Sequence, residues 1–181
     1  FVEGNITRSF LATAIVKLYD MTFGPWTINK FDKILTISRW EVPFLKKIGA
    51  KQANIEHIPN GIPEEFFIQK KSQEEHKILY LGRLSMKKKI ETLIKALPLI
   101  QDKKITLEIV GPEEKEYTGF LKSLVKKLNL SQRVKFSHPI FDVIEKIKKI
   151  DSAKIYTLAS RVEGMPQSLV EAMARGKIVI G

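Results

Sequence analysis

From Lys77 to the last residue the apolar positions keep switching between two periods, and few architectures satisfy both. Lys77-Ile78-Leu79-Tyr80-Leu81 is a short, nearly unbroken apolar run and predicts a buried strand. Ile90, Leu93, Ile94, Leu97 and Ile100 then recur at helical spacing, predicting a helix over 90–100. The alternation repeats with a strand at Ile105–Val110, a helix at Tyr117–Leu128 (stripe Phe120, Leu121, Leu124, Val125, Leu128), a strand at Arg133–Phe136 and a helix at Phe141–Ile150. It closes with a strand at Lys154–Leu158, a helix whose Leu169, Val170, Ala172, Met173 and Ala174 bury one face, and a strand at Lys177–Ile180, with Gly176 ending the helix. Strands separated by helices require crossover connections, hence a mostly parallel sheet. The fold class read from this is α/β, a Rossmann-like parallel sheet with flanking helices.

The stretch before Lys77 is less regular. Phe10, Leu11, Ala14, Ile15 and Leu18 predict a helix over 5–19, broken by Gly24-Pro25. Lys33–Ile37 reads as a strand. Ser38 with Glu41 forms a capping box for a helix reaching Ile48 and stopped by Gly49. Asn54–Ile58 is a second strand, and Pro59-Asn60-Gly61 is a turn by residue type. Residues 61–76 are polar and irregular and read as an interdomain linker, pinned by Phe66 and Phe67. The expected organisation is therefore a first domain over 1–60, the linker, and a Rossmann-like domain over 77–181.

Composition bounds the partners. A formal net charge of +11 favours anionic ligands or surfaces, although a lysine-rich solvated exterior explains it equally well. Without cysteine, disulfides and thiolate metal sites are excluded. No apolar run approaches the ~20 residues that span a bilayer. The first residues lack the basic start and apolar core of a signal peptide, and no initiator Met is present, so a partial chain is expected.

In such a domain the loops that follow strands carry ligand contacts, and three are informative. Gly82-Arg83-Leu84-Ser85-Met86-Lys87-Lys88-Lys89 combines a sharp turn, a guanidinium fork and mobile ammonium groups, a set suited to phosphate oxygens. Gly111 lets backbone approach a ligand closely or simply makes a tight turn. Ser160–Gly176 offers a helix start at Gly164, Met165, Gln167 and Ser168, a natural anion site, with Pro166 suited to the first turn. It also carries two acids, Glu163 and Glu171, better suited to sugar hydroxyls than to phosphate. On spacing alone Glu171 is more simply an i,i+4 partner of Arg175. There is no G-x-x-x-x-G-K-[ST] loop, no G-x-G-x-x-G and no D-x-D. His57, His76 and His138 are isolated in sequence, and basic charge without interleaved aromatics is no nucleic-acid module.

Taken together and in order, these pieces resemble glycosyltransferase family 4, retaining enzymes of the two-domain GT-B architecture (glycosyl transferases group 1). Phe31–Ser38 resembles the late strand and serine of the family's N-terminal domain, and Ile58-Pro59-Asn60-Gly61-Ile62 its "IPNGV" crossing. Tyr80–Leu84 resembles "VGRL", Ile109-Val110-Gly111 "IVG", and Ser160–Gly176 "SxxEGxPxxxxEAMAxG" with its E-x7-E pair. The chain departs from the pattern at Lys88-Lys89 for Lys-Gly, Met165 for an aromatic, Ile62-Pro63 for Val-Asp, and His138 for a glycine.

The resemblance implies roles. Arg83 and Lys88 match the positions that hold the donor diphosphate and steady the leaving group, with Lys89 a competing candidate for that contact. Glu163 matches the glutamate near the donor sugar and Glu171 the one that binds the ribose. Gly164, Met165 and Pro166 match the loop that approaches the donor, beside Gly82 and Gly111. The implied reaction moves a sugar from a nucleotide-sugar donor to a sugar or lipid-linked acceptor with retention, without metal or other cofactor. The implied setting is cytoplasmic, with peripheral contact to an anionic membrane and no nucleic-acid partner. The alternatives are a non-catalytic nucleotide-sugar binding module and a basic domain binding nucleic acid or membrane. The family's acceptor contacts fall outside 1–60, so this polypeptide alone is expected to be inactive.

Overall fold

The structure, a computed structural model, describes residues 9–68, 73–161 and 163–181. The expected start of the first helix at residues 5–8, the linker stretch 69–72 and Val162 lie outside the described residues. The chain forms two compact units, Phe1–Gly61 and Ile62–Gly181.

In the first unit, helix α1 (Phe10–Met21) is followed directly by α2 (Phe23–Ile28), a parallel strand pair β1 (Ile34–Thr36) and β2 (Ile55–His57), and between them α3 (Val42–Lys47). The first helix does not break at Gly24-Pro25 as expected. The break falls at Thr22, and Pro25 sits in the first turn of α2, where a missing N–H costs nothing. The capping glutamate behaves as its spacing predicts, with Glu41 Oε2 accepting from the Ile37 and Ser38 amides at 3.0 Å each. Asn29 ties the unit together. Its amide donates to the Pro25 and Gly49 carbonyls, and its oxygen accepts from the Lys51 N–H at 2.9 Å. Gly49 has φ +89°, and a Cβ there would lie 2.7 Å from Pro25 Cβ. The stripe of α1 is not buried within this unit, Phe10 and Leu11 being exposed.

The second unit is a five-stranded, all-parallel sheet in the order β5-β4-β3-β6-β7. Its strands are β3 (Glu75–Leu81), β4 (Thr106–Val110), β5 (Val134–Ser137), β6 (Ala153–Thr157) and β7 (Ile178–Ile180). They are joined by α4 (Ile90–Ala96), α5 (Lys115–Lys127), α6 (Val143–Asp151) and α7 (Gln167–Ala174). Right-handed crossovers put α4 and α5 on one face and α6 and α7 on the other. The core lies between these layers, with Leu79, Tyr80, Ile94, Ile109, Leu121, Ile150, Tyr156 and Ala172 buried.

Three local expectations change. The helix predicted over 90–100 gives way after Ala96 to a 3-10 turn at Leu97–Leu99, because Pro98 cannot extend it. Phe120 is half exposed, the α5 stripe being carried by Leu121 and Val125. Within the stretch read as a linker, Glu64–Phe67 forms a 3-10 turn, Phe66 is 1% exposed in the core, and β3 takes up Glu75 and His76. Phe67 is exposed.

A buried acid stiffens the base of the sheet. Glu108 on β4 is 3% exposed; its oxygens take Lys77 at 3.1 Å, Lys149 at 2.9 Å and the Ser137 hydroxyl at 2.7 Å. Burial alone would raise its pKa, but the bonds from Ser137, Lys149 and Lys77 outweigh it and lower the value from 4.5 to about 2. A depressed acid contributes stability that is fully present above its unfolded value and lost as pH falls through the folded one. The contribution is about 3 kcal/mol in full, of which about 2 kcal/mol is gone by pH 3. Urea titrations at pH 6 and pH 3 should therefore show Glu108→Gln losing about 2 kcal/mol less than the parent over that interval. Equal losses would remove Glu108 as the source.

Candidate functional site

The strand order reverses at β3. Strands β4 and β5 extend to one side and β6 and β7 to the other, so the loops leaving β3 and β6 diverge and open a crevice at the carboxyl edge of the sheet. A cavity of about 360 Å³ occupies it, and its walls include Gly82, Lys88, Lys146, Glu163 and Met165–Ser168.

The first wall is held by backbone. The Gly82 amide donates to the Val110 carbonyl at 2.9 Å, the Leu84 amide to Pro112 at 2.9 Å, and the Glu114 amide returns to Leu84 at 3.2 Å. The loops after β3 and β4 are thus zipped together. Gly111, at φ +149°, makes this possible, since a Cβ there would stand 2.0 Å from the Gly82 carbonyl oxygen. Gly111 is buried and does not line the cavity, so its glycine serves loop-to-loop contact. The chain then makes a 3-10 turn at Met86–Lys88 and enters α4 through Lys89, whose φ of 50° is left-handed. The Tyr117 hydroxyl fixes that entry by accepting from the Ile90 amide at 2.9 Å while donating to Glu91. Burial, followed by the Glu91 bond, pushes the Tyr117 phenol up, so it stays a donor.

The left-handed residue shows what the Lys-Lys departure costs. Position 89 needs the conformation that glycine adopts freely, and lysine there is strained by roughly 1 kcal/mol. Lys88 lines the cavity, whereas the half-exposed Lys89 sits 3.7 Å from Glu91, too far for a close ion pair. Lys89→Gly should raise stability by about 0.5–1 kcal/mol and leave ligand affinity in the crevice unchanged; thermal unfolding and calorimetry check the two halves. A drop in affinity would transfer the crevice role to Lys89.

The second wall follows β6. The Leu158 amide donates to Ile180, fastening the loop to β7. Tyr156, buried on β6, donates to the Leu81 carbonyl at 2.9 Å and stands 2.6 Å from Ser168 Oγ, so one side chain joins the end of β3 to the start of α7. Burial pushes its phenol up to about 12. Pro166 is the residue before α7 rather than part of its first turn, with its carbonyl accepting from Leu169 and Val170.

The predicted residues separate into groups. Lys88 and Glu163 meet across the crevice at 2.5 Å, each about three-quarters buried. Gly82, Met165 and Pro166 line it with them. Arg83 and Gly164 are exposed and outside the lining; the Arg83 carbonyl accepts from Tyr80 at 2.8 Å. Glu171 is 4% exposed behind the wall. The i,i+4 pairing of Glu171 with Arg175 is not what forms. Glu171 Oε2 contacts the Lys146 ammonium, and Arg175 makes a bidentate pair with Asp151 at 2.7 and 2.8 Å. A local helix pair is worth a few tenths of a kcal/mol, and a buried two-bond fork outcompetes it. Lys146 had no sequence signal, being one of several lysines in α6. Among the described residues no group of three His, Asp or Glu side chains is placed to hold a metal, and no helix is long and apolar enough to cross a membrane.

With this geometry in place, the similarities to known proteins become informative. Residues 61–181 match the profile of the family described as "Glycosyl transferases group 1". An uncharacterized glycosyltransferase from Haemophilus influenzae is 32% identical over 164 residues, covering 88% of this chain and 44% of that protein. The chain thus spans less than half the length of that relative. Among solved structures, sucrose-phosphate synthase from Thermosynechococcus elongatus superposes with a TM-score of 0.76 at 23% identity, covering 99% of this chain and 45% of that one. Anabaena Alr3699/HepE in complex with UDP-glucose gives a TM-score of 0.72 at 21% identity, covering 82% and 44%. At these identities the superpositions establish the α/β fold with its helix-flanked parallel sheet.

Proposed function

The chain belongs to the glycosyl transferases group 1 family, and from that premise we infer that it carries the donor side of a retaining, family-4-type glycosyltransferase. The reaction would move a sugar from a nucleotide-sugar donor to an acceptor. The observation that carries this reading is the pairing of Lys88 with Glu163 across a crevice at the switch point of a parallel sheet. An ammonium and a carboxylate face each other there. An incoming diphosphate would take the ammonium, and donor hydroxyls would take the carboxylate.

The division of labour follows from charge. Negative charge develops on the departing diphosphate. Lys88 and the first amides of α7 would offer donors toward it, and Arg83, exposed and next in sequence to the lining Gly82, would add a guanidinium. Glu163 serves the transferred sugar, and Glu171 the ribose. The arrangement works without a metal because cationic side chains and amides take the phosphate charge. Ile62–Gly181 would be the donor domain and Phe1–Gly61 a part of the acceptor side. The setting is cytoplasmic, with the basic surface available for peripheral contact with an anionic membrane.

The test is a donor screen on the complete gene product with calorimetry of nucleoside diphosphates and release of diphosphate from their sugars. The reading expects one nucleoside diphosphate to bind at sub-millimolar concentration and its sugar to be consumed with retention. Binding without transfer would instead favour a non-catalytic module, and no binding at millimolar concentration would end both.

A further inference from the structure

We propose that Lys146 is a positioning residue that orients the Glu171 carboxylate for a ribose diol; this rests on the reading of Glu171 as the ribose contact. Lys146 lies in α6, whose register is fixed by the Asp142 cap (2.8 Å to the Glu145 amide) and by buried Ile147 and Ile150. Its ammonium stands 5.8 Å from the Phe66 ring centroid and contacts Glu171 Oε2, and the residue forms part of the crevice wall. The neighbouring lysines do other things. Lys148 is exposed and Lys149 bonds Glu108. Within α6, Lys146 alone joins the crevice wall to the buried acid of α7.

The physical case is about a buried charge with one job. A carboxylate 4% exposed needs a cation, and a cation held at one oxygen also limits how the group can turn. A cis-diol is recognised by two hydrogen bonds to a carboxylate whose plane is set in advance. If that plane is free to turn, the second bond is lost while contacts elsewhere on the nucleotide remain. The signature of a positioning role is therefore loss of discrimination at the ribose, not uniform loss of binding.

The experiment titrates the full chain and its variants with adenosine, guanosine, cytidine and uridine diphosphates, each beside its 2′,3′-dideoxy counterpart. The parent should prefer the ribose form by on the order of tenfold or more, and Glu171→Ala should abolish that preference. Lys146→Met, which keeps an unbranched apolar side chain and removes the charge, should weaken the ribose form about tenfold and the dideoxy form little, with Lys146→Arg recovering part of the preference. Thermal unfolding accompanies each titration, and Lys146→Gln replaces the Met variant if that one is poorly folded. Equal weakening of both forms would show that Lys146 touches phosphate or base directly and would overturn the proposal, as would no change in either. A parent with no ribose preference, or one unaffected by Glu171→Ala, would remove the ribose reading first and the positioning role with it.

Discussion

In the complete gene product, Lys88→Met should reduce sugar transfer by about 10²–10³-fold while leaving the fold intact. Lys88 sits on a 3-10 turn held by its own backbone bond to Ser85 at 2.9 Å, so removing its charge does not dismantle the wall. What is lost is an ammonium already aimed into the crevice, 2.5 Å from Glu163. The loss should appear in kcat and in nucleoside diphosphate affinity, whereas affinity for the corresponding nucleoside without phosphates should hold. Because Lys88 and Glu163 neutralise each other, the effects of Lys88→Met and Glu163→Gln should be non-additive. Steady-state kinetics on the two single variants and the double variant measure this, and strict additivity would mean that the pair does not act as a unit. Transfer falling less than tenfold in Lys88→Met would move the leaving-group role to Arg83.

The second large effect is on stability. Asp151→Ala should cost about 3–5 kcal/mol, since it leaves a buried guanidinium without its counter-charge. The Arg175 side chain is 4% exposed, and among the described residues it also donates to the Phe66 and Ile68 carbonyls. That set joins the end of α6, the end of α7 and the turn that buries Phe66, so one deletion loosens three segments. Urea unfolding of Asp151→Ala, and of a double variant with Arg175→Met, decides the cause. The double variant should be the more stable of the two, because it no longer buries an unpaired charge. If the single variant lost under 1 kcal/mol, water would have to reach the guanidinium.

The sheet and its order of loops were legible because buried parallel strands and amphipathic helices write their periods into the sequence, and Gly82, Gly111 and Gly176 mark where they end. The crevice lining was legible at Lys88, Glu163, Met165 and Pro166 because loops after strands sit at one edge. What escaped was pairing at long range. Lys77–Glu108, Lys146–Glu171 and Asp151–Arg175 join residues on different elements, and nothing in a lysine-rich helix tells Lys146 from Lys148. The i,i+4 rule misassigned Glu171 because it sees one helix at a time. Pro98 was read through because periodicity ignores the missing N–H.

The seam between the loops after β3 and β4 has a consequence for how such a site can change. With the Gly82 carbonyl occupying the space a side chain at 111 would need, the two loops form a single part. Pro112 and Glu114 are tied through backbone bonds to Leu84, two residues beyond the Gly82 that lines the crevice, although neither lines it. A search for altered ligand preference can therefore vary the second loop as a remote adjustment of the first. Position 111 lies in the seam itself, and it must stay glycine throughout.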